Sequence, residues 1–179
     1  MVTYDPPQGN PLGNNPWFQF GANVVRPILN LITKKDWQGG EKLPKSGAVI
    51  VVCNHLSYID PLTFTHFLFN SGRAPRYLGK MGVFNIPIIG RVVRGAGQIP
   101  VDRQSPNAAK AYEHAIAVLK AGHLLGVFPE GTLTRDENFW PMRGKSGVVK
   151  LALLTGAPII PCAQWGPERV LPPYSKKIK

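Results

Sequence analysis

The chain is short of acids, cysteines and long apolar runs, and each shortage narrows what it can be. There are 10 Asp and Glu against 21 Lys and Arg, a net charge of +11 over 179 residues. That imbalance points to an anionic partner, whether nucleic acid, anionic lipid headgroups or a phosphorylated substrate, and its sign alone does not choose among them. Acids are absent altogether between Asp60 and Asp102, while Arg73, Arg76, Lys80, Arg91 and Arg94 fall there. This run reads either as a solvated basic face or as a cationic rim around a phosphate site. Two cysteines, Cys53 and Cys162, cannot form a disulfide framework, and their spacing matches no metal or redox motif. Each lies in an apolar run that reads as a buried strand, so both are expected as reduced core thiols. No apolar stretch approaches the roughly 20 residues that cross a bilayer. The N-terminal stretch MVTYDPPQGNPLGNNP is polar and rich in Pro and Gly and does not read as a secretory signal.

What is present describes a folded domain. Hydrophobic residues make up 44% of the chain and mean hydropathy is −0.07, which excludes a disordered chain. Residues Met1 to Asn15 read as a flexible leader. In the segment that follows, Gln19, Asn23, Arg26, Asn30 and Lys34 form one helical stripe, and Trp17, Phe20, Val24, Ile28 and Leu31 repeat on the other side. Pro27 should kink or interrupt this helix. Two fates are open for so broad an apolar arc: packing onto the domain, or lying in a membrane interface.

The remainder alternates between strands and helices. Ala48 to Cys53 (AVIVVC) is a buried strand. Asp60-Pro61 opens a helix, with Asp60 expected at the N-cap. Arg76 to Lys80, Gln98 to Val101, Leu124 to Phe128 and Pro158 to Gln164 read as further strands. Helices are expected over a Pro-interrupted stretch from Val83 to Arg94, from Ser105-Pro106 to Gly122, and from Ser146 to Thr155. The C-terminal WGPERVLPPYSKKIK shows no clear element. This order is that of an α/β fold with a mixed, largely parallel sheet flanked by helices, preceded by an N-terminal amphipathic helix. The division expected is residues 1–36 as leader and amphipathic helix, a helical anchor on the interfacial reading, and residues 37–179 as the folded domain.

In open α/β sheets ligands bind at the carboxyl ends of the strands. Three polar motifs lie at such ends. The first is Asn54-His55 followed by Asp60. A tight turn can return the carboxylate to one ring nitrogen, leaving the other to take a proton from a hydroxyl. The bland alternative is Asp60 as a helix cap and His55 as a loop residue. The second is GQIPVDR, in which Arg103 offers a planar fork of donors suited to phosphate, or else a surface ion pair. Pro100 inside it suits an edge strand or bulge. The third is VFPEGT, which places Glu130 in the cleft and offers the Gly131 and Thr132 amides to an anion or hydroxyl. No Ser or Cys sits in a nucleophile elbow, and no side chains have metal-ligand spacing. His66, His114 and His123 read as structural or solvated.

These motifs, in this order, resemble the glycerolipid acyltransferase family, and most of all its bacterial members that act on lysophosphatidic acid. NHLSYID, GQIPVDR, FPEGT and APIIP match its four ordered blocks, and the resemblance covers about Leu43 to Gln164. It implies His55 as general base, Asp60 as its orienting partner, and Arg103 on the phosphate of lysophosphatidic acid. It implies that Glu130, Gly131 and Thr132 bind the glycerol backbone, with Asn54, Lys80 and Lys145 beside the substrate. The acyl donor would be a thioester of coenzyme A or acyl carrier protein, the product phosphatidic acid, and no cofactor or metal is required. Docking on a membrane surface containing anionic lipid, monotopically on the cytoplasmic face, follows from such substrates, and nucleic acid does not. Family members often continue further past the fourth block, so the C-terminus is expected to be truncated or naturally short. Two other readings remain open on the residues: an acyltransferase for another lysolipid, or a thioester hydrolase using the same His–Asp pair. A non-enzymatic basic protein that binds lipid or nucleic acid is a third.

Overall fold

A computed structural model describes residues 14–101 and 108–174. The first 13 residues of the expected leader, Arg103, the Ser105-Pro106 helix start and the last five residues lie outside these. Five strands form one sheet: β1 (Val49–Cys53), β2 (Pro75–Lys80), β3 (Ile99–Val101), β4 (Leu124–Val127) and β5 (Ile159–Cys162). Their order is β3-β2-β4-β1-β5 and every described pairing is parallel, so the sheet is not mixed. Crossovers supply the parallel sense, because each strand from β1 to β4 is followed by a helical return. Pro100 sits on the edge strand β3, where a missing N–H breaks no ladder.

Period-two alternation sorts the central strand onto two faces. Val49, Val51 and Cys53 pack with Phe64 and Leu68 of α2 (Asp60–Asn70). Ile50 packs with Ala115, Val118 and Leu119 of α5 (Ala108–Lys120) and with Val148 and Leu151 of α6 (Gly147–Thr155). The connection leaving β1 therefore covers one face through α2, and the one leaving β4 covers the other through α6. β1 and β4 are neighbours, so their carboxyl ends flank the crevice of a topological switch point.

The expected Pro-interrupted helix resolves into two, α3 (Met81–Phe84) and α4 (Pro87–Gly95), with Pro87 opening the second. A short helix not anticipated from the sequence, α7 (Pro167–Val170), is the last among the described residues; Gly166 N–H donates to the buried Glu168 carboxylate at 2.7 Å. Helix α1 (Pro16–Ile32) starts at Asn15, whose Oδ1 accepts from Phe18 N–H at 2.8 Å while its Nδ2 donates to Gly95 O at 3.0 Å. The helix passes through Pro27 without interruption. The apolar arc divides into two strips, one packed and one exposed. Phe18, Ala22 and Leu29 pack inward, whereas Trp17, Phe20, Val24 and Ile28 are about half exposed and Leu31 is 87% exposed. No helix among the described residues is long and apolar enough to cross a membrane.

Two of the five cations in the acid-free stretch are not on a rim at all. Arg73 and Arg76 are completely buried. Arg73 donates to Pro44 O (2.6 Å), Gly47 O (2.8 Å) and Gly122 O (3.2 Å), tying together the turns that precede β1 and β4. Arg76 lies over the Phe18 ring at 5.9 Å. A guanidinium can leave water when carbonyls replace its hydration. Removing it strands the carbonyls, so Arg73→Met is expected to destabilise the fold by about 3 kcal/mol. Urea unfolding checks this: the midpoint should fall with little change in slope.

Candidate active site

The site is assembled where β1 and β4 end. Beyond Cys53, Asn54 continues the ladder with its side chain: Nδ2 donates to Gln164 O at 3.0 Å and Oδ1 accepts Gln164 N–H at 2.8 Å. Thr63 Oγ1 adds a bond to Gln164 Oε1 at 2.9 Å. The geometry thus places Asn54 at the seam between β1 and β5.

His55 Nδ1–H donates to Asp60 Oδ2 at 2.9 Å. The same oxygen accepts the Leu56 and Ser57 amides, the latter at 2.7 Å. Asp60 is fully buried and His55 is 17% exposed. An ionised carboxylate only accepts, which fixes the proton on Nδ1 and leaves Nε2 as the basic nitrogen. The helix-cap expectation for Asp60 does not hold. It is the first helical residue of α2, the cap position is Ile59, and the carboxylate points back into the loop. Asp60 Oδ1 has no hydrogen-bond partner among the described residues.

The VFPEGT loop holds His55 from the other side. The imidazole stacks on Phe128 at 4.3 Å with the rings 23° apart. Thr134 N–H donates to His55 O at 2.8 Å. Glu130, which is 4% exposed, accepts His55 N–H on Oε1 (3.1 Å) and Met142 N–H on Oε2 (2.8 Å). Its carboxylate staples two loops together; it does not stand free in the cleft. Gly131 takes φ +75° in the tight turn, with its N–H on Phe128 O at 3.0 Å. A Cβ there would come within 3.0 Å of Lys145 Nζ, so Lys145 arches over this turn, its own N–H on Pro129 O at 2.9 Å. Thr132 is exposed beside it. Lys80 is exposed at the carboxyl end of β2, on the same sheet edge.

Beside the turn runs an open groove of about 660 Å³, lined by Val52, Pro129, Val148, Val149 and Ile159 with Arg143 and Lys145. An apolar wall with cations is suited to a fatty chain carrying an anionic end. Ser57 offers no nucleophile, since it is buried and its Oγ donates to Leu171 O at 2.6 Å. Among the described residues no three His, Cys, Asp or Glu side chains converge as metal ligands. The other histidines serve elsewhere. His66 lies edge-on to Trp37 at 4.8 Å, with its basicity pushed down by burial and then by Arg26 and Lys35.

Sequence reasoning missed Phe128, Thr134 and Gln164. Phe128 and Gln164 sit at the ends of expected strands, which marked them as core or edge residues; nothing in the spacing announces a ring stack or a side-chain ladder.

Comparison with known proteins covers the stretch that carries these residues. The Acyltransferase family profile matches residues 35–165. A chloroplastic 1-acyl-sn-glycerol-3-phosphate acyltransferase, BAT2 of Brassica napus, is 33% identical over 147 residues, covering 81% of this chain and 41% of that protein. The 1-acyl-sn-glycerol-3-phosphate acyltransferase of Bacillus subtilis is 30% identical over 154 residues, covering 84% of this chain and 72% of that one. The crystal structure of the 1-acyl-sn-glycerophosphate acyltransferase PlsC from Thermotoga maritima superposes with a TM-score of 0.69 at 27% identity, over 89% of this chain and 60% of that one. The chain thus spans well under half of the plant protein and nearly three quarters of the Bacillus protein.

Proposed function

The chain belongs to the acyltransferase family, and from that premise we propose that it moves a fatty acyl group from a thioester to the free hydroxyl of lysophosphatidic acid, giving phosphatidic acid. The observation that carries the reading is the bond from His55 Nδ1–H to the buried Asp60 Oδ2 at 2.9 Å, which leaves Nε2 as base. The acceptor hydroxyl gives its proton to Nε2 as its oxygen attacks the thioester carbonyl. The tetrahedral intermediate collapses and the C–S bond breaks. The imidazolium, stabilised by Asp60, returns the proton to the departing thiolate of coenzyme A or acyl carrier protein. A thioester is electrophilic enough for direct attack, so an acyl-enzyme is not required, and holding both substrates together supplies the remaining advantage.

Lys145, Lys80 and Arg103 are assigned to the acceptor phosphate, with the Gly131–Thr132 turn against the glycerol. The apolar groove is assigned to a fatty chain. Glu130 and Asn54 act by positioning the loop that carries His55.

Such substrates reside in a bilayer. The exposed strip of α1 and the exposed Val83, Ile86, Ile88 and Ile89 of the adjoining α3, α4 and the turn between them give the chain an apolar face that nothing described covers. We assign this face to the membrane interface on the cytoplasmic side, with the net charge of +11 adding attraction to anionic lipid.

Given lysophosphatidic acid, other lysolipids and a long-chain acyl-CoA in turn, the protein is expected to make phosphatidic acid as its main product by mass spectrometry. His55→Ala should lower that rate by about 10²–10⁴-fold with circular dichroism unchanged; a rate that survives the substitution, or free fatty acid as the main product, contradicts the assignment. For docking, Phe20→Asp combined with Leu31→Asp should abolish co-sedimentation with vesicles of phosphatidylglycerol and phosphatidylethanolamine while the variant remains folded. Undiminished sedimentation would remove α1 from the interface.

A further inference from the structure

Cys53 and Cys162, which sequence spacing leaves unrelated, are direct partners in the parallel pairing of β1 with β5. Neighbouring strands lie about 4.8 Å apart, and a disulfide requires Cα atoms roughly 4.4–6.8 Å apart. Register partners in a parallel pair project to the same face, and both thiols do pack against the core beneath α2. Both are free thiols. Cys53 is buried and Cys162 half-buried on the edge strand, where a small solute can reach it.

We propose that Cys53 and Cys162 form an oxidation site at which a hydroperoxide produces a reversible disulfide between β1 and β5. Cys162 sulfur attacks the peroxide O–O bond, giving a sulfenic acid and releasing an alcohol or water. Cys53 sulfur then displaces the sulfenic hydroxyl, which leaves as water with the Cys53 proton. Two thiols are oxidised and one peroxide is reduced. The order follows from the unequal thiols. The hydrogen bond with Cys162 pushes the Cys53 thiol well above its ordinary range, and burial and the Asp60 charge add to this. The same bond pulls Cys162 down, against burial, so Cys162 is the readier thiolate.

The site adjoins the machinery. Asn54 follows Cys53 directly, and its side chain is clasped to Gln164 just beyond Cys162. Drawing the sulfurs to the bonded distance of about 2.05 Å shifts the strand end from which His55 emerges. A misplacement on the order of 1 Å is enough to cost catalysis heavily. The effect on turnover rests on the acyl-transfer reading; formation of the disulfide does not.

The test treats the full chain with hydrogen peroxide in the absence of denaturant, followed by non-reducing peptide mapping and an acyl-transfer assay. A linked Cys53–Cys162 peptide that dithiothreitol removes is expected, with a reversible loss of transfer of about tenfold or more. Cys162→Ser should keep its basal rate and show neither the link nor the reversible loss. No linked peptide in the folded protein, or a link that forms only in denaturant, overturns the site. A complete link with undiminished transfer overturns its regulatory effect. If the reduced protein transfers no acyl group at all, the functional assignment fails while peptide mapping still decides the thiol site.

Discussion

One oxygen atom organises the loop that carries His55. Asp60 Oδ2 accepts from the His55 ring and from the Leu56 and Ser57 amides. A charged acceptor makes each such bond worth about 1.5–3 kcal/mol. The atom thereby fixes the loop's path and the tautomer of its imidazole in one arrangement. The carboxylate can be buried because its donors replace the water it loses. Glu130 repeats the device from the opposite strand, gathering the His55 and Met142 amides on its two oxygens. His55 is therefore held by a ring nitrogen, its own N–H, its own C=O and the Phe128 face. An imidazole restrained at four points needs little reorganisation when a proton arrives.

Much of this frame was legible in the sequence because parallel topology does much of the placement. Apolar runs alternating with helical stripes imply crossovers, crossovers imply parallel strands, and parallel strands put every carboxyl end on one edge. Asn54-His55, Lys80 and the FPEGT turn reach that edge as expected. The pairing of His55 with Asp60 was likewise readable, since a turn of that length closes on itself. What was not readable is where each polar atom finds its partner. The same spacing that places Glu130 at the cleft allows its carboxylate to turn inward to two amides, and only the fold decides. Asp60 looked like a helix cap for the same reason. Arg73 and Arg76 looked like surface charge because their compensation comes from Pro44, Gly47 and Gly122 carbonyls and from the Phe18 ring, all distant in sequence. The register that sets Cys53 beside Cys162 depends on how far β5 slides along β1, which no local pattern encodes.

The basic character of the chain also divides more sharply than its total suggests. Some cations are structural, as Arg73 is. Others, including Lys80, Arg143 and Lys145, remain exposed at the site's edge. The apolar residues divide in the same way: α1 spends one strip on the domain and leaves another open. Burial of the inner strip fixes the orientation of the outer one, so the exposed face is presented by a helix that cannot roll freely.

The most direct test of the account is the state of the His55 ring at neutral pH, read by nitrogen-15 NMR of the imidazole in the native protein and in Asp60→Asn. The account predicts a proton on Nδ1 and a bare Nε2 in the native protein, with that preference lost in the variant. A native ring protonated on Nε2 alone, or one indifferent to the substitution, would contradict the claim that Asp60 sets the base.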